Sequence, residues 1–403
     1  EKVIEMMRSA QLDIAEFEGE LIRIERWWLT HAIDAERGGV HGEIADDNVV
    51  RNDADKGLIL HARALWFFSE SARTTSSVKA KAAAAALYEF IVERFTDTEF
   101  GGLVWRLTAD GAWKEDRKQV YAQAFAVYAF AAYARAADST EALERAMDLA
   151  ALIDAQAWDV ERGGYVEAFA RDWSPIDDVR LSNRDLNAPK TMNTHLHVLE
   201  AATCLHVAAG LEDTARFLAR NIDIFIERFI APRGDHLSLF YSMDWRDLCA
   251  DESYGHDIEA SWLLWEAAEA LGDEKRLAAA TRRARALAES TFDKAVGADG
   301  AIAYERHADA RGLVSESHWW PQAEAIVGFY NAFELSGEER FASAAAGVWS
   351  FVKENHIDRR YGEWTWLSAK DAPKRGPYKA GFWKGPYHNG RAMMEMIKRL
   401  GSS

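Results

Sequence analysis

The chain has 403 residues, 49% of them hydrophobic, enough for one large domain or two to three ordinary ones. Its net charge of −17 repels phosphate backbones and acidic lipid, which argues against nucleic acid and membrane surfaces as partners. Two cysteines in unrelated contexts, Cys204 and Cys249, form no disulfide framework, so a reducing, cytoplasmic setting is expected.

Taken in chain order, the opening "EKVIEMMRSAQLDIAEFEGEL" is charged throughout and has no apolar signal-peptide core. No later run of about 18 apolar residues reads as a membrane span. A turn signal then recurs: "DAERGGVHGEIADDN" from Asp34, "DTEFGGLVWRLTADG" from Asp97 and "DVERGGYVEAFARDW" from Asp159. Weaker copies begin at Ala231, Asp293 and Asp358, so the starts lie 63, 62, 72, 62 and 65 residues apart. Each couples a glycine turn to a short alternating stretch and predicts a small β-hairpin.

A charged, amphipathic helix precedes each turn, as over Glu141–Trp158 and Glu274–Phe292. A nearly all-apolar helix follows, as over Tyr121–Ala137 and Ile258–Gly272. A helix apolar on all sides must be buried on all sides. Six half-exposed helices alternating with six buried ones predict two concentric rings, an all-α (α/α)6 barrel with short β-hairpins at one rim. Each unit needs its neighbours to bury its faces, so residues 1–403 are expected to form one domain. The longest non-helical stretch, Ala170–Asn193, would overhang the mouth.

The starts of the six buried helices read "DKGLILHAR", "QVYAQAF", "MNTHLHVLE", "SYGHDIEAS", "SHWWPQAEA" and "PYHNGRAMM". In a closed ring they share one rim, which brings Arg63, Tyr121, Asn193, His197, His256, Glu259, Trp319 and His388 to one cavity. "GFWKGPYHNGRA" adds Trp383 beside His388. Helix N-termini disfavour imidazolium and keep such histidines neutral and able to accept protons. A carboxylate one turn on, as in His256–Glu259 and His197–Glu200, would fix the ring's tautomer. His195 cannot share the face of His197 and reads as structural, whereas His61, just before Arg63, can line the cavity. His31, His41, His206, His236 and His356 show no constellation.

Other chemistries leave little trace. His-x-x-Glu reverses the di-iron order, HExxH is missing and the cysteines are unpaired, so no metal is expected. No GxGxxG, P-loop or GxSxG pattern occurs, so no nucleotide cofactor is expected. A glycosidase would need a second cavity carboxylate beside Glu259, with Asp55 or Glu324 as candidates. A rim rich in histidine argues against that.

The motifs "KGLILHARALW", "MNTHLHVLEA", "SYGHDIEASWLL", "HWWPQAEAIVGF" and "FWKGPYHNGRA" resemble the N-acylglucosamine 2-epimerase superfamily, and within it the cellobiose and mannose 2-epimerases. The resemblance spans the chain, one motif per unit. It implies an (α/α)6 barrel and cofactor-free epimerisation at C2 of a reducing-end aldose through a cis-enediolate. It further implies that His256 and His388 are the acid–base pair and that His197 assists ring opening or holds the substrate. Arg63 would bind the oxygens at C1 or C2, and Tyr121, Asn193, Glu259, Trp319 and Trp383 would complete the pocket. The chain departs from the pattern at Gly385, where Cys is expected; loop packing would change, but no catalytic group is lost. The expected partner is a small carbohydrate, a cellobiose-type disaccharide or free mannose, handled by a monomer or weak homodimer. Aldose–ketose isomerisation would share the enediolate. An (α/α)6 glycosidase or lyase, or a silent sugar-binding barrel, is the alternative of another class.

Overall fold

The computed structural model describes residues 12–230 and 234–401. The opening stretch read for a signal core lies partly, and the first residues of the fourth turn (231–233) wholly, outside the described residues. In chain order the helices begin with α1 (Ile14–Trp27), α2 (Leu58–Thr75), α3 (Val78–Phe95), α4 (Val120–Ala137), α5 (Thr140–Ala157) and α6 (Met192–Ala209). They continue with α7 (Glu212–Ile224), α8 (Tyr254–Leu271), α9 (Glu274–Ala295), α10 (Trp319–Ser336), α11 (Glu339–Asn355) and α12 (Tyr387–Gly401).

The even-numbered helices form a closed inner ring. α2 packs on α4, α4 on α6, α6 on α8, α8 on α10, α10 on α12, and α12 returns to α2. The odd-numbered helices lie outside, and α1 packs on α12, so the first and last of the described helices adjoin. Burial follows the predicted split. α5 buries one stripe (Ala142, Ala146, Leu149, Ala150, Ile153, Ala157), whereas α4 buries every residue from Val120 to Ala132. The tight packing pair is an inner helix with the outer helix that follows it, half a unit out of phase with the turn-based repeat. Two-residue links join these pairs at the end away from the mouth, as at Gly272-Asp273, where Gly272 takes φ +72° and Asp273 caps α9.

Two expectations shift. α8 begins at Tyr254 rather than Ile258, so His256 lies inside its first turn. The polar run Gly255–Asp257 hid this start, because buried Asp257 is spent on accepting the Leu237 N–H at 2.8 Å. The expected hairpins close the turns, as at Ile33–Val40, Thr96–Leu103 and Trp158–Tyr165, but the rim strands also pair between units. Lys56–Gly57 pairs with Arg106–Leu107, Lys118–Gln119 with Ala168–Phe169, and Lys190–Thr191 with Phe240–Tyr241. Glu252–Ser253 pairs with Glu305–Arg306, His318 bridges Leu367, and Ala380–Gly381 pairs with Glu43–Ile44. Each inner helix is thus led into the mouth by a strand stitched to the next unit.

Buried lysines tie the turns to these strands. Lys190, wholly buried, donates to Asp159 at 2.8 Å and to the Gly163 and Met243 carbonyls. Removing one partner of such a pair strands the other charge. Asp159→Ala is therefore expected to lower unfolding free energy by about 3–5 kcal/mol, read from chemical denaturation.

Candidate active site

The mouth opens into a cavity of about 670 Å³. All nine residues picked from the sequence line it: Arg63, Tyr121, Asn193, His197, His256, Glu259, Trp319, Trp383 and His388. Residues 181–185 of the long third-unit loop overhang it, and Tyr304, Trp320, Trp366, Tyr378 and Phe382 complete an aromatic wall. Ring register explains the convergence. Arg63, Phe125, His197, Glu259 and Glu324 are each the sixth residue of their inner helix, so they lie at one depth.

Each of the three cavity histidines is tied through Nδ1. His197 donates to Glu200 at 2.9 Å and His388 to Glu324 at 2.6 Å, while His256 shares a 2.7 Å hydrogen bond with Ser253 Oγ. No described protein group bonds their Nε2 atoms, which remain available to a ligand. The expectation for His197–Glu200 holds. The parallel one for His256–Glu259 does not: Glu259 accepts Arg391 Nη2 at 2.6 Å and lies 3.8 Å from His388 Nδ1. Trp320 stands between the two outer imidazoles, its ring 4.8 Å from His256 and 5.5 Å from His388.

Below the histidines lies a layer of buried charge that was only partly legible in the sequence. Arg391 reaches Glu200 and Tyr387 with Nη1, and Glu259 and Glu324 with Nη2 at 2.6 and 2.7 Å. Tyr387 donates to Glu200 at 2.6 Å. Burial raises Glu200, but Arg391 and His197 outweigh it and hold the carboxyl down at about 2. Burial and the neighbouring Glu324 push Glu259 well above the carboxylate range. Glu259, Glu324 and His388 bring ligand-type atoms within 4.8 Å of one another. A metal fits poorly there, because the Arg391 guanidinium already holds the two carboxylates from the cation's position.

Burial pushes His256 down to about 3, and burial with Arg63 and Arg391 pushes His388 well below 6.5. Both are neutral near pH 7. Arg63 donates to the Tyr121 hydroxyl at 2.8 Å and to the Trp383 carbonyl at 3.0 Å. Burial pushes Tyr121 up to about 12, so it stays a phenol whose own hydrogen is free for a ligand. Asn193 Oδ1, Trp319 Nε1 and Arg63 Nε are buried without a partner, which suits a polyhydroxyl ligand.

Three further candidates are engaged in other roles. His61 does not line the cavity: its Nδ1 donates to Gly57 O and its Nε2 accepts the Val40 N–H, a structural role shared by His195 with Thr191 and Tyr165. Asp55 lines the mouth but is engaged by Lys114 at 2.8 Å and Arg106 at 3.5 Å. Glu324 orients His388 and sits beside Glu259 on one guanidinium, not across a scissile bond from it. A Cβ at Gly385 would come 3.3 Å from Arg63 Cβ, so glycine here lets the loop press against α2.

A helical barrel whose mouth joins neutral imidazoles, a guanidinium and unpaired polar groups is the site of an acid–base enzyme for small carbohydrates. The N-acylglucosamine 2-epimerase family pattern matches residues 38–392, and the chain belongs to that family. It is 38% identical to a cellobiose 2-epimerase of Bacteroides fragilis, over 93% of this chain and 96% of that protein. A cellobiose 2-epimerase of Ruminococcus albus is also 38% identical, over 91% and 93%. The solved structure of cellobiose 2-epimerase from Bacillus thermoamylovorans superposes with a TM-score of 0.91 at 38% identity, covering 96% of this chain and 99% of that one. The (α/α)6 architecture and a carbohydrate epimerase, an isomerase, follow from these relationships. A D-mannose isomerase superposes at 0.84 with 19% identity and shares the fold.

Proposed function

We propose that the enzyme interconverts the glucose and mannose configurations at C2 of the reducing-end sugar of a cellobiose-type disaccharide. The observation that carries this is a pair of neutral imidazoles, His388 and His256, flanking Trp320 at one cavity, with Glu324 on His388 Nδ1 from behind. The open-chain aldehyde acidifies the C2–H. His388 Nε2 takes that proton, the C2–H electron pair forms the cis-enediolate, and Glu324 behind Nδ1 steadies the imidazolium. Arg63 and the Tyr121 hydroxyl stabilise the negative charge on O1 and O2. That charge raises the affinity of His256 for a proton, which it draws from solvent and delivers to the opposite face of C2. His388 returns its proton to solvent, and the balance closes. His197, held by Glu200, assists ring opening, while Asn193, Glu259, Trp319 and Trp383 shape the pocket.

A cavity of about 670 Å³ with Phe382 and Trp383 at its edge has room for two sugar rings. Two free cysteines and a charge of −17 suit a cytoplasmic monomer or weak homodimer. Among the described residues no helix is long and apolar enough to cross a membrane.

The test is incubation with cellobiose, and separately mannose, in D2O with C2 followed by proton NMR. An epimer carrying deuterium at C2 supports the proposal; release of monosaccharide, or no exchange at C2, overturns it. Mannose turned over in preference to cellobiose would reverse the substrate order. The pH profile gives a second check. The base must be neutral, and both imidazoles titrate below 6.5. The acid limb of kcat/KM is therefore expected well below pH 6.5.

A further inference from the structure

The sixth turn breaks the rule of the others. In the first three, a second glycine precedes the residue whose N–H is capped: Gly39, Gly102 and Gly164, at φ +71°, +72° and +83°. The capping atom comes from the fourth residue of the next inner helix. Val40 N–H bonds His61, Leu103 N–H bonds Gln123, and Tyr165 N–H bonds His195. The fourth and fifth units use Asp257 and Gln322 in the same way. A Cβ at those three glycines would stand 2.6 to 3.0 Å from the capping atom.

In the sixth turn, "DRRYGEW", the second position is Glu363, at φ +58°. An L side chain is strained there. The reason lies in the chain that follows. In the other units the inner helix starts directly after its strand or bridge residue, but residues 382–386 intervene between Ala380–Gly381 and α12. No helix residue reaches the cap, and Glu363 fills the space itself. Its Oε1 accepts the Trp364 N–H at 2.7 Å, Asn389 Nδ2 at 2.6 Å and Lys384 Nζ at 3.3 Å, while Oε2 accepts Trp28 Nε1 at 2.7 Å. Lys384 and Asn389, both wholly buried, are the neighbours in sequence of Trp383 and His388.

We propose that Glu363 is a positioning residue for epimerisation: its carboxylate clamps residues 382–389 from outside the cavity and thereby aligns His388 with Glu324 and Trp383 with Arg63. The inference rests on the reading that His388 takes the C2 proton. A turn that merely needed to close would carry glycine, as three others do. This one keeps a strained carboxylate at the single place where an inserted loop bears two cavity residues.

The test uses Glu363→Gly with Lys384→Met, which restores the repeat's glycine and leaves no unpaired lysine. Folded double variant, confirmed by circular dichroism, is expected to lose about 10²-fold in kcat, the scale of a 1 Å misplacement of a reacting group. The isotope effect on kcat for C2-deuterated substrate should rise, because proton removal becomes more limiting. A purely structural role would lower the active fraction and leave that isotope effect unmoved. Glu363→Gln with the same Lys384→Met keeps the acceptor for Trp364 and Asn389, again leaves no unpaired lysine, and should stay within about threefold of the parent. If the glycine double variant does not fold, Glu363→Asp carries the same test, since Asp tolerates this φ but falls short of Lys384 and Asn389. Parent-like kcat and isotope effect in the folded variant overturn the proposal. His388→Ala measured alongside separates the two failures: full turnover there sinks the reading of His388, whatever Glu363 does.

Discussion

His388→Ala is expected to lower kcat for C2 epimerisation by about 10³-fold, within the range of a lost general base, with KM little changed. The cavity groups Arg63, Tyr121 and Asn193, proposed to hold the substrate, remain in that variant, whereas the proposed base acts on the transition state. His256→Ala should behave differently. His388 can still remove the C2 proton and, after exchange with solvent, return a deuteron to the face it came from. In D2O the starting sugar should then gain deuterium at C2 while epimer formation falls by a similar factor. NMR separates the two outcomes in one tube. Retained epimerisation by His256→Ala would show that one imidazole serves both faces through rotation about C2–C3. Retained turnover by both variants would remove the imidazoles from the mechanism. Glu324→Gln should fall between, because it keeps a hydrogen-bond acceptor for His388 but removes the charge that steadies its imidazolium.

The reach of the sequence is clear from which partners could be read. The glycine turns near Asp34, Asp97 and Asp159 mark the unit, and equal units closing a ring force the helix starts to one rim. That is why nine residues spread from Arg63 to His388 share a cavity. His197–Glu200 was legible because both partners lie on one helix turn. His256–Glu259 has the same spacing, yet Arg391 draws Glu259 away from 132 positions along the chain, and no local signal marks that competition. Glu324 was recoverable from register, as it occupies the same sixth position as Glu259. Arg391 was not, because residues 382–386 displace α12 from the common frame. The hairpins at the turns were legible, but the pairing of rim strands across units was not: a two-residue strand carries no information about its partner.

Arg391→Met is expected to have a large effect on stability. The guanidinium is buried and balances Glu200, Glu259 and Glu324 together. Without it three buried carboxyls share no cation at close range, and the loss should reach about 3–5 kcal/mol at neutral pH. The pH dependence should also steepen above pH 5. In the parent, Glu200 titrates at about 2 in the fold against 4.5 as an ordinary carboxyl. Its contribution is therefore complete above about pH 4.5 and fades as pH falls toward 2. In the variant, burial loses its main opponent and the carboxyls are lifted further relative to their unfolded values, so the folded state binds more protons relative to the unfolded one. Stability should then rise more steeply as pH falls from 7 to about 5 than in the parent, where Glu259 and Glu324 are already raised. Thermal melts across that interval measure the slope directly. Adding Glu259→Gln to Arg391→Met removes one stranded charge and should recover part of the loss. A melting temperature for Arg391→Met that matches the parent at every pH would mean that the three carboxyls already carry shared protons, and that the arginine serves alignment of His388 and His197 alone.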